Sequence, residues 1–319
     1  MPRIDLFATN NALAAIAIIL LSLPIAAHAC SRIDNSPTPV VVVPVKFKGN
    51  TPEKTYSFQL LQMLLEKTID KFGPCSAKLL DKDLPRRRIE NHLQNNRYVN
   101  AIHLTATQER DKLFLPVKIP TDKGLMGMRL SFIRQGDQEL FSRVKNLNQL
   151  RSLAAGQSAY WQDVAIMRDA GLKVKTHFST EPLPSMLAHQ RFDYLPRGSM
   201  QLFTELKIYA HLPIAVEKSF AILYPSFSAF YVNKHNIALA QRLEYGLKVA
   251  FEDGSFDEFF YSHPETATAL NHLQLKKRRY FKICNPYAPP WTPTHIDKYW
   301  MSPWPKHLQN SHCLAKGAY

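Results

Sequence analysis

Three clusters in the 319-residue sequence carry side chains suited to holding a small molecule. The first ends at Arg110, whose guanidinium presents a fixed fork of donors that matches a carboxylate bidentately. Arg110 stands just past a predicted strand over Tyr98–Leu104, and open α/β sheets receive ligands beyond the carboxyl ends of their strands. An Arg paired with Glu109 or Asp111 at a helix N-terminus is the alternative reading. The second cluster, Gly156-Gln157-Ser158, precedes a helical pattern over Trp161–Ala170. Its backbone N–H groups and the Ser158 hydroxyl suit an anionic oxygen, and Trp161 suits the wall of a cleft; Ser158 as a plain N-cap fits the same pattern. The third is Arg197-Gly198, after a short strand at Phe192–Leu195. There Arg197 either pairs with Glu181 or Glu205 or faces a ligand.

Covalent and metal chemistry are poorly served. Gly156-Gln-Ser-Ala-Tyr160 breaks the nucleophile-elbow pattern at its last position, and no HExxH, CxxC or paired Cys/His spacing occurs, so no metal and no cofactor is expected. His103 and His189 remain the candidate bases of an enzyme using the same cleft.

The elements that must position these residues alternate. Val40–Val43 is a β-branched run of a buried strand, and Tyr56–Phe72 is an amphipathic helix stopped by Gly73-Pro74. A strand at Ala77–Leu80, a helix at Arg86–Asn95 and the Tyr98–Leu104 strand follow, an order that implies a parallel sheet covered by helices. From Gly124 the pattern restarts: strand to Arg134, helices at Leu147–Leu153 and Trp161–Ala170, strand Leu172–Phe178, helix Leu183–Gln190 and strand Phe192–Leu195. An extended segment at Phe220–Pro225, a strand at Phe230–Val232 and helices at Ala238–Phe251 and Phe256–Tyr261 come next. Beyond residue 285 the chain reads as an irregular proline- and aromatic-rich tail.

Forty Lys and Arg against 26 Asp and Glu give a formal charge of +14, which favours anionic partners. Ala12–Ala27 is an apolar stretch behind Arg3 and before Ala27-His28-Ala29, the pattern of a cleaved signal peptide over residues 1–29. An exported chain has little use for nucleic acid, so Arg86-Arg87-Arg88 and Lys276-Lys277-Arg278-Arg279 read as solvated helix faces. Export also makes disulfides admissible. The four cysteines allow three pairings; Cys284 and Cys313 bracket the tail and are the favoured pair, with free buried thiols as the alternative.

Four segments resemble the bacterial periplasmic solute-binding proteins of family 3, the amino-acid-transport type: Thr105-Ala-Thr-Gln-Glu-Arg110, Gly124-Leu-Met-Gly-Met-Arg129, Met186-Leu-Ala-His-Gln-Arg-Phe-Asp193 and Tyr224-Pro-Ser-Phe-Ser-Ala-Phe-Tyr-Val-Asn-Lys234. The resemblance covers roughly residues 39 to 262. It implies an α/β fold of two lobes, each a mainly parallel sheet flanked by helices, joined by two hinge strands near Pro120–Leu125 and Ala221–Tyr224. Residues 38–120 and 222–262 would form lobe 1, 125–215 lobe 2, and 263–319 a C-terminal helix and tail. It further implies that Arg110 holds a ligand carboxylate with Thr105 and Thr107 beside it, and that Gln157, Ser158, Trp161, Arg197 and Gly198 form the lobe 2 jaw.

Two departures bear on the ligand. The family places an Asp for the ligand's ammonium group where this chain has Gly198, and the turn Lys46-Phe-Lys-Gly-Asn-Thr51 lacks the usual aromatic clamp. If Arg197 faced the cleft, two guanidiniums on opposite jaws would favour a dianion over an amino acid. The expected protein is a monomeric periplasmic binder of a small carboxylate-bearing or amino-acid-like ligand, serving an inner-membrane transporter or a sensor. An enzyme, or a module that binds an anionic envelope component, is the competing reading.

Overall fold

The computed structural model describes residues 29–31, 39–44, 52–82, 84–274 and 277–301. The stretch read as a signal peptide, through His28, the Lys46–Thr51 turn and Cys313 lie outside them. Strands β1 (Val40–Val43) and β2 (Ser76–Leu79) pair in parallel, Val40 opposite Ser76. Every residue of β1 is buried, as a run of four valines requires. Beside them, β3 (Ala101–Thr105), β11 (Ser228–Val232) and β4 (Leu115–Pro116) form an antiparallel sheet. Helices Tyr56–Glu66 and Ile237–Glu252 cover this lobe, and Gly246 lets them approach closely: a Cβ there would stand 3.1 Å from the Leu64 carbonyl oxygen.

The second lobe is built on β5 (Met128–Arg134), β6 (Ala154–Ser158), β7 (Lys173–His177), β8 (Tyr194–Gly198), β9 (Ile214–Val216), β10 (Phe220–Leu223) and β12 (Arg279–Lys282). They form one mixed sheet in the order β12-β10-β5-β8-β6-β7, with β9 also on β5. Strands β6, β7 and β8 run parallel, while β5 is antiparallel to β8, β9 and β10. Alternation sorts side chains between the two faces. Ala221 and Leu223 join the large apolar cluster that continues into lobe 1, whereas Phe220 and Ile222 join a separate cluster with Phe141, Tyr194 and Phe281.

The chain passes between lobes near Thr121–Gly127. Over the span read as the second hinge strand, β10 pairs with β5 and with β12 in the large sheet. A further passage was not legible in the sequence. Helix Pro264–Leu273 leaves lobe 1, β12 adds to lobe 2, and residues 285–301 return across the back of the molecule. On that path Gln108 Nε2 donates to the carbonyls of Pro286 and Ala288, Trp291 Nε1 to Asp111 (2.6 Å), and Tyr287 Oη to Asp169 of lobe 2 (2.7 Å). Lys123, almost wholly buried, donates to the Lys298 carbonyl and pairs with Asp257. Residues 285–301 are thus packed structure that straddles both lobes.

Cys30 and Cys75 form a disulfide with Cα atoms 6.3 Å apart. It pins the segment before β1 to the strand edge of lobe 1. Cys284 is also disulfide-bonded, and the partner expected for it, Cys313, is not among the described residues. The second basic run is not a helix face: Arg278 is buried, its Nε donating to the Leu273 carbonyl and its Nη1 to those of Glu217 and Phe220, and Arg279 opens β12.

Candidate functional site

A cavity of about 300 Å³ lies between the lobes, the size that suits a small metabolite. Lobe 1 contributes the N-terminal turn of the Tyr56–Glu66 helix, Arg86 from the first position of helix Arg86–Gln94, and His103 and Thr105 from the end of β3. Lobe 2 faces it with Met200, Gln201, Thr204 and Glu205 from helix Ser199–Ile208. Met126 comes from the passage between lobes, Ser228 from the first position of β11, and Glu265 from the C-terminal helix.

Arg110 stands one layer behind this wall. The Thr107 hydroxyl caps its helix, accepting the Arg110 N–H at 3.1 Å, and Arg110 Nη1 donates to the Thr105 carbonyl; Thr105 lines the cavity. Burial pulls the Arg110 pKa down to about 10, and the nearby Arg86 guanidinium pushes the same way. Among the described residues Arg110 has no carboxylate within ion-pair distance. Two cations thus stand at this end of the cavity, and Arg110, the desolvated one, is held by a neutral oxygen alone. Arg86 itself bonds Glu90 at 2.9 Å on the helix surface. Arg86 is solvated, its side chain 55% exposed, as the basic run suggested, and it also borders the cavity, which the sequence did not show.

The predicted lobe 2 jaw is assembled differently. Gly156-Gln157-Ser158 is the end of β6, not a helix start, and the helix begins at Asp163. Gly156 is required there because a Cβ would sit 2.2 Å from the Phe192 ring. Gln157 is buried and donates to the Pro196 carbonyl, Ser158 is buried, and neither lines the cavity. Trp161 lies under the Arg197 guanidinium, 4.2 Å from its ring centroid. Arg197 is held by Glu205 in a bidentate pair, Nε to Oε2 at 2.6 Å and Nη2 to Oε1. Arg197 therefore does not offer its charge to the cleft, and the basis for preferring a dianion is gone. Gly198 touches the cavity floor from below: a Cβ there would stand 3.3 Å from Met126 Sδ and 3.4 Å from Gln201 Oε1.

The candidate bases are engaged elsewhere. Thr121 Oγ1 donates to the Ser228 carbonyl, so His103 Nε2, 2.7 Å from that oxygen, must carry the proton and donate. His189 ends a surface helix, with Nδ1 at 2.8 Å from the Ser185 carbonyl.

Two buried contacts tie the passages together. Arg129 pairs with Asp163 at 2.8 Å, and Tyr224 Oη donates to the same carboxylate. Asp122 accepts the N–H groups of Gly124 (3.1 Å) and, across the gap, Ser228 (2.9 Å). Burial pushes the Asp122 pKa up to about 7, against those hydrogen bonds and the Arg129 charge. An unfolded Asp titrates near about 3.9, so the folded chain binds this proton more tightly. Its contribution to stability is full below that value and is lost as pH rises towards about 7. The urea midpoint should therefore fall between pH 5 and pH 8, and Asp122→Asn should flatten the fall; equal slopes in both proteins would remove Asp122 as its source.

No protein-family model matches the sequence, and no curated protein is significantly similar to it. Solved structures do match. An ancestral arginine-binding protein bound to arginine aligns with a TM-score of 0.52 and 17% identity, over 70% of this chain and 98% of the other. The probable amino-acid ABC transporter extracellular-binding protein ytmK from Bacillus subtilis gives 0.54 and 12%, over 72% and 99%. The chain has the two-lobed periplasmic-binding-protein fold. A third solved structure, from work on glutathione import through GshT and the cystine importer TcyBC of Streptococcus mutans, gives 0.52 and 15%, over 71% and 95%. Nearly the whole of each binding protein is matched by about seven-tenths of this chain, which therefore carries length beyond the shared fold.

Proposed function

We propose that this chain is an exported solute-binding protein that captures a small carboxylate-bearing ligand between its lobes and presents the closed form to a membrane transporter or a sensor. The observation that carries the reading is the inter-lobe cavity with Arg86 on its wall, paired to Glu90, and behind Thr105 the desolvated Arg110, which has no carboxylate within ion-pair distance among the described residues. A ligand carboxylate would complete it. Binding proteins of amino acids share the fold, and the arginine-bound ancestral protein is one of them. The Cys30–Cys75 bridge supports an oxidising compartment, in line with the signal-peptide pattern. Among the described residues no helix is long and apolar enough to cross a membrane.

The mechanism is differential binding. A ligand that touches Arg86 in any state and helix Ser199–Ile208 only when the lobes meet favours closure by the extra contacts alone. Catalysis is not the favoured reading, because His103 Nε2 serves Thr121 and His189 lies on the surface.

A thermal-shift screen of the mature chain tests this, since saturating ligand raises stability by RT ln(1 + [L]/Kd). Amino acids or carboxylates should raise the melting temperature, and the shift should survive moderate salt because the contacts are buried. A response confined to cationic polyamines would overturn the carboxylate assignment. A response to anionic polymers alone, lost with salt, would favour surface binding through the +14 charge.

A further inference from the structure

Residues 121–127 carry the chain from lobe 1 into β5, and residues 224–227 carry it from β10 back to β11. Residues 283–301, which follow β12, lie across both connections. At the first, the Met301 N–H donates to the Lys123 carbonyl at 3.0 Å, and Lys123 Nζ donates to the Lys298 carbonyl at 2.9 Å. Lys123 is buried with φ at 46°, and Gly124 follows at 76°. A lysine in the left-handed region is strained, and such strain persists only where the surroundings over-determine it. At the second connection Asn285 Nδ2 donates to the Pro225 carbonyl at 2.7 Å, and Phe227 meets Trp291 and Trp300 edge to face at 5.4 and 6.0 Å. The segment is itself fixed to both lobes. The Ile283 N–H donates to the Leu223 carbonyl of β10 at 2.9 Å, Gln108 and Asp111 of lobe 1 hold its middle, and Tyr287 reaches Asp169 of lobe 2. Just ahead of it, helix Pro264–Leu273 adds another bridge: Glu265 Oε1 accepts the Tyr56 N–H of lobe 1 at 3.2 Å, while His272 stacks on Phe203 of lobe 2 with ring centroids 4.2 Å apart.

We infer that residues 283–301 form a clasp over the hinge, which confines the empty protein to lobe angles near the one at which both jaws line the cavity. Domains joined only by loops move relative to each other by default, and the hinge residues absorb the change in backbone angles. In this chain those residues are bonded to a segment that is anchored on both sides of them, at Lys123 in one connection and at Pro225 and Phe227 in the other. Parting the lobes therefore breaks several contacts together rather than turning two free linkers. The chain has the length for such a device, since the shared fold occupies about seven-tenths of it. A ligand then meets a competent state that is already populated and spends less of its contact energy on closure. That consequence rests on the solute-binding reading above; the clasp itself does not.

Pulsed electron-resonance distances in the full mature chain test the clasp without any ligand. Spin labels carried on non-natural amino acids, one at Gln94 of lobe 1 and one at Thr180 of lobe 2, sit at exposed positions and leave the cysteines alone. The wild type should give one narrow distance peak. Lys123→Met combined with Trp291→Phe removes the contacts to the Lys298 carbonyl and to Asp111 while keeping an apolar side chain at each position. It should add a longer-distance population of about 10% or more. Asp257→Asn takes away only the ion-pair partner of Lys123 and should leave the peak narrow. If the double variant does not fold, a protease site inserted beside the exposed His295 lets the folded chain be cut afterwards, and the cut chain should show the same added population. A broad wild-type distribution, a folded double variant or cut chain that keeps the wild-type peak, or equal broadening by Asp257→Asn would each overturn the clasp. None of these results bears on whether the protein binds a solute, which the thermal-shift screen decides separately.

Discussion

Replacing Arg86 by Ala should weaken carboxylate binding by about 10- to 100-fold while leaving the melting temperature of the empty protein almost unchanged. The asymmetry follows from where the residue sits. Its partner on the protein, Glu90, is four residues along the same helix and partly solvated, an arrangement that contributes only a few tenths of a kcal/mol. Its other face lines the cavity, where a bound carboxylate would be shielded from water and a guanidinium contact is correspondingly stronger. Arg110 differs. It holds the Thr105 carbonyl and lies under the wall, so Arg110→Ala should reduce both ligand affinity and stability. Calorimetry on the two variants, beside their unfolding curves, separates the roles. If Arg86→Ala binds as the wild type does, the positive end of the cavity is not where the carboxylate goes.

Arg242→Met should destabilise the chain by about 3 kcal/mol or more, enough to threaten folding in a domain whose whole margin is about 5–15 kcal/mol. Arg242 is only 1% exposed and is saturated by neutral acceptors: Nε donates to Thr68 Oγ1 at 2.8 Å, and Nη2 to the carbonyls of Leu65 (3.0 Å) and Gly73 (2.8 Å). Nη1 reaches the Phe72 carbonyl and lies 3.6 Å from Cys30 Sγ. The side chain thus gathers carbonyls where helices Tyr56–Glu66 and Ile69–Phe72 end, beside the Cys30–Cys75 bridge. Methionine fills much of the volume but removes the guanidinium donor from the Phe72 and Gly73 carbonyls and from Thr68 Oγ1, and lysine cannot reach them all from one nitrogen. Urea midpoints of Arg242→Met and Arg242→Lys measure the loss; values within 1 kcal/mol of the wild type would mean that water replaces the guanidinium at little cost.

Local pattern was enough to recover most elements. The valines of β1, the four-residue spacing over Tyr56–Phe72 and the glycine stop at Gly73 are statements about neighbours in the chain, and the structure follows them except that it divides the helix into Tyr56–Glu66 and Ile69–Phe72. The Gly156–Ser158 segment misled because its glycine resembles a helix-opening turn. Its real cause is the Phe192 ring, 36 residues away, which fills the space a Cβ would need.

Apolar periodicity and the ordered phrases around Arg110, Gly124, Arg191 and Tyr224 thus determined the alternating α/β architecture, because burial of one face acts along each element separately. Which cations meet the cavity was decided only in three dimensions. Arg197 is cancelled by Glu205 across the turn from β8 into the next helix, Arg110 is withdrawn behind Thr105, and Arg86 is brought forward. Glu265 reaches the site because a helix outside both predicted lobes packs between them. The charge of a side chain is a property of its residue type, but whether that charge is spent inside the protein or left for a ligand depends on partners brought together by packing.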